Sequence, residues 1–261
     1  MNKAIKFNNI NKSFNNLEVL KNISFEVKKG EIVCLLGPSG SGKSTLFNMA
    51  AGLLESDNGR VEINSEMRTA YVFQHPRLLP WKTVEENLIF VQQNYLKDKE
   101  AKKIREKLLK LNGLADSHQS YPAQLSGGMK QRLEIIRALS IWPNLLLMDE
   151  AFKSVDAQLK VNLRKMLLRF YEKKNMTVLL ITHDPEEAVL LADRIFILSG
   201  KPANIKKEFV INKDQRDRKL TDENLYNIIQ EIISLFMEIV DDYRWEKGEK
   251  TEEIFAEMKR S

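Results

Sequence analysis

The sequence predicts an α/β protein built around a parallel sheet. Three observations carry that expectation. Ile32 to Leu36 (IVCLL) is a short unbroken apolar run ahead of a glycine, the pattern of a strand buried on both faces. Leu145 to Met148 and Val178 to Ile181 repeat that pattern. Between these two, Ala157 to Tyr171 places Leu159, Leu163, Met166, Leu167 and Phe170 at helical spacing, and strand, helix, strand in that order gives a parallel pair.

Composition bounds the class. With 261 residues and 43% hydrophobic content the chain can bury a sizeable core, which argues against disorder. The single Cys, Cys34, cannot form an internal disulfide, and within an apolar strand it reads as small and buried. No apolar run reaches the ~18–20 residues of a membrane span, and the N-terminal MNKAIKFNNI lacks the apolar stretch of a signal peptide. These features predict a soluble cytoplasmic protein. Lys plus Arg is 41 against 36 Asp plus Glu, a net charge of +5 that is spread out and gives little reason to expect nucleic acid as a partner.

Further elements follow in order. Ala4 to Ile10 and Ile23 to Val27 alternate apolar and polar residues as half-buried strands do, and Ala70 to Phe73 reads as another strand. From about Thr83 to Ser140 the pattern turns helical, as in Lys99 to Leu111, so residues 83–140 read as a helical subdomain inserted into the α/β core. Near the end, Leu225, Ile228, Ile229, Ile232, Phe236, Ile239 and Val240 share one helical face, with Glu231 and Glu238 too polar for a membrane. A charged tail follows from Asp241. The expected division is residues 1–212 as the main domain and 213–261 as a C-terminal helical extension, docked on the core or on a second copy of the chain.

Gly37 to Thr45 reads GPSGSGKST and fits G-x-x-x-x-G-K-[ST], placed after one predicted strand and before the apolar helix of Leu46, Phe47, Met49 and Ala50. Gly37, Gly40 and Gly42, with Pro38, Ser39 and Ser41, let the backbone fold tightly so that successive N–H groups face phosphate oxygens. The helix beyond adds its dipole. Lys43 is expected to reach the β- and γ-phosphates, Ser44 to ligate Mg²⁺, and Thr45 to complete the loop. A chance match would occur in roughly one chain in a hundred of this length. The strand–loop–helix setting makes it rarer still. These residues alone predict a P-loop NTPase.

Two more segments narrow the class: LSGGMKQR at Leu125 to Arg132, and LLLMDE at Leu145 to Glu150. In this order, with Gln74 between the loop and the signature and His183 after both, the chain resembles the ATP-binding cassette (ABC) ATPases over about Ala4 to Leu198. The resemblance implies ATP and Mg²⁺ as cofactors and assigns roles. Asp149, at a strand end, would hold Mg²⁺ through water. Glu150 would position and polarise the attacking water. Gln74 would touch both the metal and that water, and His183 the γ-phosphate. Phe14 would stack on adenine, the alternative being a core Phe. Ser126, Gly127 and Gly128, ahead of a helix beginning about Met129, would close over the γ-phosphate held by the opposite subunit, so the chain would act as a homodimer or with a paralogue. Asp156 keeps the family's loop carboxylate. Two departures stand out: Ala151 where the family usually has Pro, and Lys153 in a loop that usually has a small residue there.

Gln74 is followed by HPRLLPW (His75 to Trp81) and then Thr83, Val84, Glu85, Glu86 and Asn87, which looks like the importer ATPases of the nitrate, sulfonate and taurine group. ITHDPEEAVLLADRIFILS (Ile181 to Ser199) fits that group too. The resemblance implies an ATPase at the cytoplasmic face of the membrane, coupled to a permease and indirectly to a solute-binding protein. Leu78, Leu79 and Trp81 would form an apolar cluster that receives a helix of that permease, or else fill the joint between subdomains. His75 and His118 read as structural. The competing hypotheses are a soluble non-transport cassette ATPase, whose usual second cassette or long coiled coil the sequence lacks, and a non-hydrolysing regulatory module, against which Lys43, Asp149, Glu150 and His183 all argue.

Overall fold

The computed structural model describes residues 3–153 and 155–246, with 240–246 as backbone. In chain order the elements are β1 (Lys3–Phe14), β2 (Leu17–Lys28), β3 (Ile32–Leu36), α1 (Lys43–Ala50), β4 (Asn58–Ile63), β5 (Thr69–Val72), α2 (Val84–Gln92) and α3 (Asp98–Leu111). They continue with α4 (Gly127–Leu139), β6 (Leu145–Asp149), α5 (Ala157–Lys174), β7 (Thr177–Ile181), α6 (Pro185–Leu191), β8 (Arg194–Leu198), β9 (Ile205–Val210) and α7 (Glu223–Glu246). The chain divides into two compact units.

The first unit comprises Val27–Ile32 and Ile63–Ile181 with the start of the chain up to Ala4. Strands β5 and β6 pair in parallel, as do β6 and β7, with Asp149 opposite Ile181. Every residue of β6 and β7 is buried, which is why both read as continuous apolar runs. Helix α5 makes the crossover between them and buries Leu163, Leu167 and Leu168, while Met166 and Phe170 are only partly covered.

From Val84 to Leu139 this unit is helical. Val84 and Leu88 of α2, Leu108 and Leu109 of α3, and Leu133 and Ile136 of α4 form one core cluster with Leu114 and Leu125. Helix α2 opens on a capping box: Thr83 Oγ1 accepts from the Glu86 amide, and the Glu86 carboxylate accepts from the Thr83 amide. Helix α4 starts at Gly127, two residues before the start expected from sequence. Ser126 caps it by accepting from the Met129 amide, so Gly127 and Gly128 lie inside the first turn.

The second unit comprises Ile5–Glu26, Val33–Glu62 and the chain from Thr182 on. Strands β1 and β2 form a hairpin across Asn15 and Asn16, both at positive φ (45° and 65°), as a two-residue turn of the I′ kind requires. Strand β4 lies beside β1. There Gly59 is obligatory, because at φ 79° a Cβ would sit 2.2 Å from the Asn9 carbonyl oxygen. Strand β3 pairs in parallel with β8, and β8 pairs antiparallel with β9. Strands β4, β8 and β9 are additional to those the sequence predicts. Strand β4 (NGRVEI) is largely exposed and carries little apolar alternation, and β8 follows so closely on α6 that one apolar pattern runs into the other.

Helix α7 belongs to this second unit and packs against α6. Leu225, Ile229, Ile232 and Ile239 are buried within the single chain, as docking on the core requires. Lys207 on β9 pairs with Glu231 of the helix. Just ahead of α7 the fully buried Arg218 guanidinium donates to the carbonyls of Val189 (2.9 Å), Ala192 (2.7 Å) and Lys213 (2.8 Å). The charged tail expected after the helix lies, from residue 247, outside the described residues. No helix among the described residues is long and apolar enough to cross a membrane.

Ile232 is completely buried, so Ile232→Ala should cost about 2–5 kcal/mol of stability. Thermal unfolding of the variant should shift down by several degrees, and an unchanged melting temperature would show that the α7 contact contributes nothing.

Candidate functional site

The phosphate-loop residues lie in the second unit. Gly42 caps α1 in the left-handed region (φ 82°), with no side-chain capping bond and no acidic residue in the first turn. The start of α1 therefore carries no capping side chain, the arrangement that suits an anion. Gly42 has no substitute here: besides its φ, a Cβ would meet Leu20 Cδ2 at 2.6 Å. The Lys43 ammonium is held over its own loop, donating to the carbonyls of Gly37 (2.9 Å) and Pro38 (2.8 Å) and to Ser41 Oγ (3.3 Å). Ser39, Gly40 and Ser44 are exposed, Pro38 and Thr45 partly so.

Phe14 ends β1 with 44% of its surface exposed and the Lys12 ammonium 5.4 Å from its ring centroid, so it is not a core residue. His183 is exposed on a short segment fixed from both sides. The Asp184 amide donates to Thr182 Oγ1, which donates in turn to the buried Glu187 carboxylate, and Asp184 caps α6. Burial, with the nearby Glu187 carboxylate, pushes the Cys34 thiol well above its ordinary pKa, so Cys34 is unreactive.

The carboxylates lie in the first unit. Asp149 ends β6 and is 5% exposed. Burial, with the Asp149 carboxylate, pushes the Tyr71 hydroxyl well above its usual range. Glu150 leaves the strand at φ 44°, a left-handed conformation costing on the order of 1–3 kcal/mol for a residue with a Cβ. Its amide donates to the Ile181 carbonyl at 3.0 Å, which fixes the turn. One carboxylate oxygen, Oε2, accepts from two side chains: Gln74 Nε2 at 2.9 Å and Lys153 Nζ at 2.8 Å. Gln74 and Glu150, far apart in sequence, are therefore in direct contact, and Lys153 reaches the carboxylate itself. Ala151 and Phe152 are each 2% exposed and turn the chain inward between Glu150 and Lys153. Asp156 accepts from the Leu159 amide as the N-cap of α5, a structural use its sequence reading did not include.

The segment after Gln74 is held by residues the sequence analysis gave no role. The Asn87 side chain accepts from the Leu79 amide (2.9 Å) and donates to the carbonyls of Leu79, Lys82 and Thr83. Arg137 of α4 donates to the Arg77 carbonyl (2.8 Å) and pairs with Glu134 (2.6 Å). Burial raises the Glu134 carboxyl's pKa, opposed by Arg137 and by the amides of Arg77 and Phe73. The Arg77 guanidinium covers the Phe73 ring, which stacks on Tyr71. The available signal was polar residues on the apolar faces of α2 and α4, where burial demands partners. Leu78 packs against the helical core, but Trp81 is 70% exposed, so only the former fills a joint.

Asn87→Ala would strand several backbone groups at once, at about 1–3 kcal/mol for each left buried and unpaired. Limited proteolysis should then cut faster between His75 and Thr83 while the rest of the chain stays resistant. Cleavage at the wild-type rate would show that the loop holds its shape without this anchor.

A profile of the ABC transporter family matches residues 20–153. The aliphatic sulfonates import ATP-binding protein SsuB of Bacillus cereus is 38% identical over 246 residues, covering 89% of this chain and 96% of that protein. The nitrate import ATP-binding protein NrtD of Synechocystis sp. is 40% identical over 200 residues, covering 74% and 75%. Among solved structures, a dimeric post-hydrolysis state of the ATP-binding cassette MJ0796 bound to ADP and Pi superposes with a TM-score of 0.71 at 29% identity, covering 80% of this chain and all of that one. With the glycine-bearing loop ahead of α1, the capped signature helix α4 and this extent of likeness, the chain belongs to the ABC transporter family.

Proposed function

We propose that this chain is the ATP-hydrolysing subunit of an ABC importer, driving uptake of a small solute, an organic sulfonate, nitrate or a related molecule, through a membrane permease. The observation that carries the reading is the Glu150 turn: a carboxylate at a strand end, in a strained conformation, with Gln74 on the same oxygen. Carboxylate and amide together suit a water molecule that must be oriented and made more nucleophilic. Lys43 and the loop amides bind the phosphates of ATP, and Phe14 offers its exposed face to the base. Ser44, Gln74 and Asp149 would hold Mg²⁺. One hydroxyl, one amide and one carboxylate fit an ion that keeps water and phosphate oxygens in its shell, and the described residues contain no cluster of three acidic, His or Cys groups that would cage a metal alone. The ion would neutralise charge on the phosphates. His183 serves the γ-phosphate.

Ser126, Gly127 and Gly128 would meet the ATP of a second copy, since α4 offers a helix start with no acid in its first turn. Two chains then enclose each nucleotide. The permease would seat against the exposed Trp81, which places the subunit peripherally on the cytoplasmic face, with a solute-binding protein on the other side. Residues 1–212 would form the ATP-binding domain, with 83–140 inserted, and 213–261 an accessory extension.

Glu150→Gln keeps size and hydrogen bonding but removes the carboxylate. The variant should bind ATP, lose nearly all turnover and accumulate as an ATP-bound dimer, and wild-type ATPase activity would sink the assignment. Lys153→Gln tests the neighbouring pair. Its lysine side chain is 51% exposed, so the ion pair contributes at most about 1 kcal/mol and the variant should alter kcat by less than about fivefold. A much larger loss would make Lys153 part of the reaction.

Trp81→Ala should leave melting temperature and ATP binding unchanged, because the ring is mostly exposed. It should weaken co-purification with the permease, a central aromatic anchor commonly contributing ~2 kcal/mol or more. Undiminished co-purification would move the contact elsewhere.

A further inference from the structure

Within the first unit, a cleft of about 990 Å³ opens between α3 and α5. Its floor is apolar: Ile104, Leu108 and Leu111 from α3, Met166 and Phe170 from α5, and Trp142 from the turn before β6. Its rim is basic. Lys103 and Lys107 stand one turn apart on α3, and Lys165, Arg169 and Lys173 stand one turn apart on α5. That spacing puts each row on one helix face, so two rows of cations border the same apolar floor. Glu172 is the one carboxylate among the described residues that line it. None of the five cations makes a hydrogen bond or ion pair with another described residue. Unpaired positive charge around a concave apolar surface focuses an attractive field on anions.

The floor is fixed. Trp142 adopts φ 53°, a left-handed conformation rare for a bulky residue and kept only where the surroundings impose it. Its ring stacks on Phe170 at 4.8 Å, with the Lys174 ammonium 5.0 Å from its centroid. The buried Asn112 donates to the Leu108 carbonyl (2.8 Å) and lies 3.5 Å from Met166 Sδ, tying the two walls together.

We propose that this cleft binds a small amphipathic anion, a molecule with an apolar body and a sulfonate, phosphate or carboxylate group. The volume falls within the ~300–1,000 Å³ of small-molecule sites. From Lys103 to Leu111 the α3 wall is about 12 Å long at the helical rise. Beyond the cleft the exposed residues of α3 are all charged (Asp98, Lys99, Glu100, Lys102, Glu106 and Lys110), so on this wall the apolar surface ends where the cleft ends, which favours a compact molecule over a partner helix. The lining residues include none of those assigned to ATP, so the proposal stands apart from the nucleotide chemistry.

Calorimetric titration of the full chain with octanesulfonate tests it. The expected result is single-site binding that persists in saturating ATP. Methanesulfonate, charge without body, and octanol, body without charge, should each bind at least about tenfold more weakly. Lys107→Glu combined with Arg169→Glu, both exposed side chains, should weaken octanesulfonate by at least about tenfold at unchanged melting temperature and ATP affinity. Octanol binding as well as octanesulfonate, indifference to the charge reversal, or no octanesulfonate binding would each overturn the proposal. The comparison of the three probes on the wild-type chain does not depend on any variant folding. A chain that binds octanesulfonate but not ATP would keep this site and fail the nucleotide reading instead.

Discussion

Phosphate has to be met by backbone amides, and this one requirement dictates the residues around it. Amides converge on a point only where the chain takes conformations that residues with a Cβ avoid, hence Gly42 at φ 82° with Leu20 packed where its Cβ would be. The helix that follows must start without a side-chain cap, since a capping oxygen would compete for the same donors. Lys43 must keep its charge at the loop, and the Gly37 and Pro38 carbonyls hold it there. Strand β3 is buried throughout, giving the loop a rigid base.

The parts of the fold that depend on burial could be read from the sequence. Strands β3, β6 and β7 are enclosed on both faces and showed as unbroken apolar runs, and α5 between them showed the helical period. Strand β4 could not be read this way, because most of its side chains face water and its place is set by Gly59 meeting the Asn9 carbonyl. The β1–β2 turn was legible in principle, since two asparagines between alternating segments are the residues that tolerate positive φ at both positions.

The candidate site divides along the same line. Motif residues stand out because their chemistry demands particular side chains at fixed spacing. Contacts across long sequence separations do not stand out. The resemblance sets Gln74 and Glu150 on the same water, but nothing in the sequence shows their direct contact, or that of Asn87 with the carbonyls of Leu79 and Lys82. Lys153 was visible as a departure from the family pattern, but its contact with the Glu150 carboxylate came only with three-dimensional geometry. Each of these contacts places a polar group where apolar periodicity has nothing to say.

The Arg218 guanidinium fastens the segment that leads into the C-terminal helix. Its donors go to the carbonyls of Val189 and Ala192 at the end of α6 and of Ile211 and Lys213 in the segment after β9. The helix beyond Glu223 contributes none of these acceptors. Opening of α7 alone therefore breaks none of these four bonds. The junction and the helix are thus held by different contacts: buried charge-assisted bonds to carbonyls in the one, apolar packing of Leu225, Ile229 and Ile232 in the other, so local opening of the helix need not loosen the junction.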